Sequence, residues 1–128
     1  MGIRLFLGAM AAMWLGYGGW CFADPDYLHG AAGIAALSAT GHVDLRATYG
    51  GLQMAIGALL AGGALRPAFT RTALAVYGVL CAGLGSARLS AALLESEWSS
   101  YTVFALCFEL GTALLVLVLL PRLRSAAR

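Results

Sequence analysis

The chain has 128 residues, of which 61% are hydrophobic and 11% charged, with a formal net charge of +2 and a mean hydropathy of +0.83. That is too little charge to cover the surface of a soluble domain, so composition points to lipid as the solvent. All eight basic residues are arginine and six residues are acidic, a balance too even for a nucleic-acid footprint, so nucleic acid is not an expected partner.

Four apolar runs follow one another along the chain: residues 3–22, 46–63, 72–94 and 101–120. Each is about 18–23 residues long, enough for a helix to cross about 30 Å of hydrocarbon. Lipid offers no partner to an exposed backbone, so a spanning segment is a helix or part of a closed barrel. No run alternates with period two, and the helical reading follows. The expected fold is all-α: one integral membrane domain over residues 1–128, built as a four-helix transmembrane bundle.

The first run also resembles a cleavable signal peptide. It is long for one, and it carries Gly8, Ala12 and Gly16 at a spacing of four, which suits helix packing in lipid. A retained helix is the expectation. Asp24-Pro25 reads as a cap and first helical residue, opening a short interfacial helix between spans one and two. Asp44 is placed to cap span two. Arg66-Pro67 interrupts the link to span three, Ser99 or Ser100 caps span four, and Pro121 follows its last leucine.

Charge orients the chain. Arg4, Arg66, Arg71, Arg122, Arg124 and Arg128 flank one side of the spans, without an acid among them. Asp24, Asp26, Asp44, Glu95 and Glu97 lie on the other. The positive-inside rule then puts both termini in the cytoplasm, and four crossings agree with that. Tyr17, Trp20, Tyr49, Trp98 and Tyr101 gather near the outer interface as an aromatic belt. The expected location is a bacterial inner membrane.

Polar residues inside the runs are the candidate site. Counted from the outer span ends, Arg46 lies about 3 Å deep, Gln53 about 13 Å, Arg88 about 9 Å and Glu109 about 12 Å. Arg46, Tyr49 and Gln53 recur at i, i+3 and i+7 and share a helix face. Gly50, Gly51 and Gly57 beside them, and Gly85 on the Gly78-Ala82-Ser86 side of span three, are candidate packing positions. On span four Thr102, Ala105, Glu109 and Thr112 form one stripe.

An unpaired charge at such depth costs at least about 2.5 kcal/mol. Arg88 and Glu109 have opposite sign and similar depth, so pairing is expected. Arg46 is expected to lean toward Asp44 or lipid phosphates, or to join that pair, while Tyr49, Gln53 and Ser86 satisfy remaining donors and acceptors. Three uses of the cluster stay open: an ion pair that fixes helix register, a pocket for a lipid-like small molecule, and a proton or ion path.

Cys81 and Cys107 sit in apolar runs and read as small hydrophobes. His29 and His42 match no metal-ligand spacing. No metal or cofactor is expected, and no catalytic motif supports an enzyme.

The stretch "DLRATYGG", residues 44–51, followed by Gln53 and Gly57, with "GSAR" in span three and a lone glutamate in span four, resembles a bacterial family of small membrane proteins. That family is catalogued only as a domain of unknown function, with four predicted helices. The similarity centres on Asp44, Arg46, Thr48, Tyr49, Gly50 and Gly51, with Arg88 as a second point, and implies no activity. A looser similarity links the chain to the ergosterol-biosynthesis scaffold family, which also has four membrane helices with arginines in its middle spans; it implies a tether for lipid-modifying enzymes. The resulting expectation is a non-enzymatic accessory or scaffold subunit in the lipid bilayer. A second copy or another membrane protein is its partner, and the polar cluster holds an amphipathic small molecule or lipid. The alternative is a small transporter or proton-coupled carrier using Glu109.

Overall fold

The computed structural model describes residues 2–125. Arg128, counted above among the flanking cations, lies outside them. The described residues are helical almost throughout and contain no strand. The elements are α1 (Gly2–Ala23), α2 (Tyr27–Ala32), α3 (Ala39–Leu45), a π-helical turn (Arg46–Gly51), α4 (Leu52–Leu65), α5 (Pro67–Glu95), α6 (Ser100–Leu119) and α7 (Arg122–Ser125). The chain divides into two compact units, Met1–Pro67 and Ala68–Arg128.

Three helices are long and apolar enough to cross a membrane: α1, α5 and α6. Each buries a narrow stripe. On α5 the stripe is Thr70, Ala73, Leu74, Tyr77, Gly78, Cys81, Gly85 and Ala92, the i, i+3, i+4 spacing of one helical face. Their other faces carry large exposed apolar side chains, among them Val79 at 73% and Phe104 at 72%. Exposed apolar surface on this scale marks contact with lipid or with another protein.

The first unit is an antiparallel hairpin of α1 against the π turn and α4. Its seam runs through glycines whose absent side chains set the approach. A methyl group on Gly18 would lie 2.8 Å from both the Gly50 carbonyl oxygen and the Met54 nitrogen. One on Gly57 would lie 2.9 Å from the Leu15 nitrogen, and one on Gly50 would lie 2.7 Å from Phe22 Cβ. The Gly8-Ala12-Gly16 ladder touches this seam only at Gly8, where a methyl would lie 3.8 Å from Ala64 Cβ. Ala12 is exposed, and a methyl on Gly16 would meet nothing within 4 Å. Nor does Gly51 pack closely: its nearest neighbour would be the Arg46 carbonyl oxygen at 3.9 Å. The seam side of α1 carries Leu7, Ala11, Leu15, Gly18 and Phe22 instead.

Several boundaries depart from the sequence reading. The second helical stretch begins at Ala39, not Arg46, because Ser38 is its cap: extended (φ −158°, ψ 166°), with its hydroxyl oxygen accepting from the Gly41 N–H at 3.1 Å. Asp44 is therefore inside α3, exposed, and caps nothing. The stretch then passes through the π turn, where the Leu52 N–H reaches back five residues to the Ala47 carbonyl. This divides the second expected span and leaves α4 with 14 regular residues. Asp24 does not cap α2, which starts at Tyr27 after Asp26. Gly33, in the left-handed region (φ 69°), ends α2, with the Gly33 and Ile34 N–H groups donating to the His29 and Leu28 carbonyls.

Arg66 alone separates α4 from α5. It is extended (φ −110°, ψ 106°) because the proline ring that follows excludes helical geometry before it. Pro67 then serves as the first residue of α5, where its missing N–H costs nothing. Arg71 consequently lies in the helix rather than in a loop. Ser99 caps α6, its hydroxyl accepting from the Thr102 N–H at 3.3 Å.

In the second unit, α5 and α6 meet at glycines. A methyl on Gly78 would press on Val116 Cγ1 at 2.6 Å, and one on Gly85 on Leu110 Cδ2 at 2.7 Å.

Gly18→Ala is expected to destabilise the protein by about 1–3 kcal/mol, because backbone atoms rather than flexible side-chain ends must move. Gly16→Ala is expected to be tolerated. Thermal unfolding in mild detergent compares the two, and equal effects would refute the assignment of the seam.

Candidate functional site

Charges inside apolar helices need partners, and the arginines of this chain find two kinds. In the second unit Arg88 on α5 meets Glu109 on α6. The Arg88 Nε donates to both carboxylate oxygens, at 3.1 and 2.9 Å, and Nη2 donates to Oε1 at 2.7 Å. The Glu109 side chain is 5% exposed and that of Arg88 26%. The guanidinium fork matches the planar carboxylate, which makes such a pair stronger and more directional than a lysine contact.

Local structure prepares this meeting. Gly85 precedes Arg88 by three residues, and a methyl there would lie 3.2 Å from Glu109 Cβ. Its bare backbone leaves room for Glu109 and Leu110. The Tyr101 ring lies 5.8 Å from the Arg88 guanidinium carbon, in cation–π range. Of the polar stripe on α6, Glu109 and Thr112 are buried, and Thr102 and Ala105 are half-buried. Ser86 does not serve the pair: its hydroxyl donates to the Ala82 carbonyl of its own helix at 2.7 Å.

In the first unit Arg46 takes neither Asp44 nor a carboxylate. Its Nη1 donates to the carbonyl oxygens of Phe22 and Ala23, at the end of α1. The guanidinium also lies 5.8 Å from the centroid of the Phe22 ring. The last four carbonyls of a helix lack intrahelical partners, and a cation there also meets the negative end of the helix dipole. Arg4 does the same at the opposite end of the hairpin. Its Nε donates to Ala64 O at 2.7 Å and its Nη2 to Leu65 O at 3.3 Å, closing the end of α4. In each helix of the hairpin the last two carbonyls thus accept from an arginine of the opposing helical stretch.

Tyr49 is half-buried in the π turn, and the Gln53 Oε1 atom is buried without a hydrogen-bond partner. Gly50 and Gly57 lie in close approaches and Gly51 does not. The structure therefore sorts the polar set into two local arrangements, Arg88 with Glu109 and Arg46 with α1. Gly18 and the capping role of Arg4 were missed from sequence. Arg4 left one signal, a cation near the start of an antiparallel hairpin; Gly18 was hidden among neighbouring glycines. Among the described residues no three His, Cys, Asp or Glu side chains are grouped to hold a metal ion. His42 Nδ1 lies 4.0 Å from Asp26 Oδ1. Cys21 and Cys81 are buried, whereas Cys107 is exposed on α6 rather than packed.

Arg88→Leu is expected to destabilise the protein by about 3 kcal/mol, because it strands a buried carboxylate. The double change Arg88→Leu with Glu109→Leu should recover most of that loss, as a double-mutant cycle in detergent would measure. Additive losses would refute the pairing. Arg46→Leu is expected to cost about 1–2 kcal/mol through the lost cap on α1, and hydrogen exchange should show the last turn of α1 opening first.

Comparison with known proteins places these features in context. No curated protein and no solved structure matches the chain. One family model does, over residues 2–120, and it takes in both helical units described above. On that match the chain belongs to the family described as Domain of unknown function (DUF4345).

Proposed function

We propose that this protein is a four-pass integral membrane protein of a bacterial inner membrane that acts as a non-enzymatic accessory or scaffold subunit. Its fourth pass, second in chain order, is the helical stretch through the π turn and α4. The flanking arginines support an orientation with both termini in the cytoplasm. The partner is a second copy of the chain or another membrane protein, held through the exposed apolar helix faces.

The observation that carries this reading is the bidentate Arg88–Glu109 pair. The one acid buried in α6 is held by an arginine fork, and that use of charge fixes the register of two helices. A carrier would instead require Glu109 to exchange protons with water during turnover. The pair can also anchor the polar end of an amphipathic molecule from its more exposed side, where Arg88 and Tyr101 lie.

The experiment combines two readouts on wild type and Glu109→Gln. For a scaffold, the wild type co-purifies with a fixed membrane partner from gently solubilised membranes. Glu109→Gln then loses thermal stability and the partner, with no pH-linked flux in proteoliposomes from either form. Flux that wild type supports and a stably folded Glu109→Gln abolishes would replace the scaffold with a proton-coupled carrier.

A further inference from the structure

The last two turns of α1 and the segment after it build a feature that neither the ion pair nor the arginine caps use. Gly16, Tyr17, Trp20 and Tyr27 line a groove of about 330 Å³. Such a volume lies at the small end of ligand sites, nearer to a headgroup than to a drug-sized molecule. Gly16 contributes space and the other three contribute rings. Trp20 and Tyr27 stand edge to face, with centroids 5.9 Å apart and planes at 66°, so two walls of the groove meet at a steep angle. Both rings remain accessible, Trp20 at 60% and Tyr27 at 44% exposure.

The electrostatics of this corner favour a cation. Aromatic faces are negative, and rings set around a cavity are the recurring way to bind alkylammonium groups. The groove lies near the C-terminal end of α1, where Arg46 already meets the terminal carbonyls of Phe22 and Ala23, so the attraction rests on the rings and the nearby carboxylates. Asp24 and Asp26 lie between Trp20 and Tyr27 in the chain, and the connection over residues 24–45 contains no lysine or arginine. Two other side chains with basic nitrogens lie nearby. Arg46 docks at the end of α1 beside Phe22, and Gly18 and Phe22 face the seam, whereas Gly16 and Trp20 lie on the opposite side of the helix. His42 lies against Asp26 at 4.0 Å.

The position selects the occupant. Counting back from Ala23, Trp20 lies about 5 Å inside the end of the helix, near the headgroup interface for a spanning α1, while Gly16, about 10 Å in, forms the deeper end of the groove. We propose that the groove of Gly16, Tyr17, Trp20 and Tyr27 binds the ammonium headgroup of a zwitterionic membrane lipid. The inference rests on α1 crossing the membrane and is independent of the scaffold role.

The test uses Trp20 as the probe, in the full chain carrying Trp14→Phe and Trp98→Phe, purified in a maltoside detergent. Choline chloride should change Trp20 emission saturably. Sodium chloride and 3,3-dimethylbutan-1-ol, the uncharged isostere of choline, should not. Tyr27→Leu, a change at an exposed position checked for retained helix content, should weaken the response about two- to fivefold, the span of an exposed cation–π contact. Nanodiscs of phosphatidylcholine or phosphatidylglycerol then address the lipid. Native mass spectrometry should find phosphatidylcholine retained by wild type, displaced by choline and lost in Tyr27→Leu. An equal response to the neutral isostere, or none to choline, would overturn the cation site. A choline response without selective lipid retention would overturn its assignment to a lipid headgroup.

Discussion

The structure turns on one constraint: in apolar surroundings every backbone polar group and every charge must find its partner within the protein. The three arginines with described contacts all obey it. Arg88 meets a carboxylate, while Arg4 and Arg46 meet helix-end carbonyls that the helices cannot satisfy themselves. The guanidinium suits both tasks, since it stays ionised and presents several N–H groups in one plane. A chain with eight basic residues and no lysine is consistent with that demand.

Glycine is the counterpart of arginine here. The caps in the first unit work only if α1 and the stretch from Arg46 to Leu65 run close together over their whole length. Gly18, Gly50 and Gly57 permit this by removing the side chains that would hold the backbones apart. The π turn contains one of these close approaches, at Gly50, and begins at Arg46. An extra residue in that turn changes which side chains face α1, so the geometry that admits Phe22 beside Gly50 also bears on the aim of Arg46. In the second unit the same logic recurs on a smaller scale, where Gly85 makes room beside the ion pair.

Much of this was legible in the residues. Runs of apolar sequence without period-two alternation specify helices, because lipid permits little else. Arg88 and Glu109 could be matched by sign and depth, since each would be costly alone. Ser99 and Pro121 bounded α6 by local chemistry. Arg46 was misjudged for a physical reason: sequence shows charged side chains as candidate partners, but helix-end carbonyls are acceptors carried by every residue and leave no mark in composition. Asp44 caps nothing because the helix already begins at Ala39, capped by Ser38, which places Asp44 inside it. The regular Gly8-Ala12-Gly16 spacing reports a helix face without reporting which face is used, and Gly18 lies on the face that is.

Composition and periodicity alone determined that the chain is helical and apolar enough for a membrane, because burial of backbone hydrogen bonds is a property of each segment by itself. Pairing of Arg88 with Glu109 was nearly determined too, since so few ionic groups are available at that depth. Tertiary structure decided the rest: which glycines form the seam, where the π turn falls, and that Arg4 and Arg46 cap the helices opposite them. Those outcomes depend on the rotation of one helix against another, which no single helix encodes.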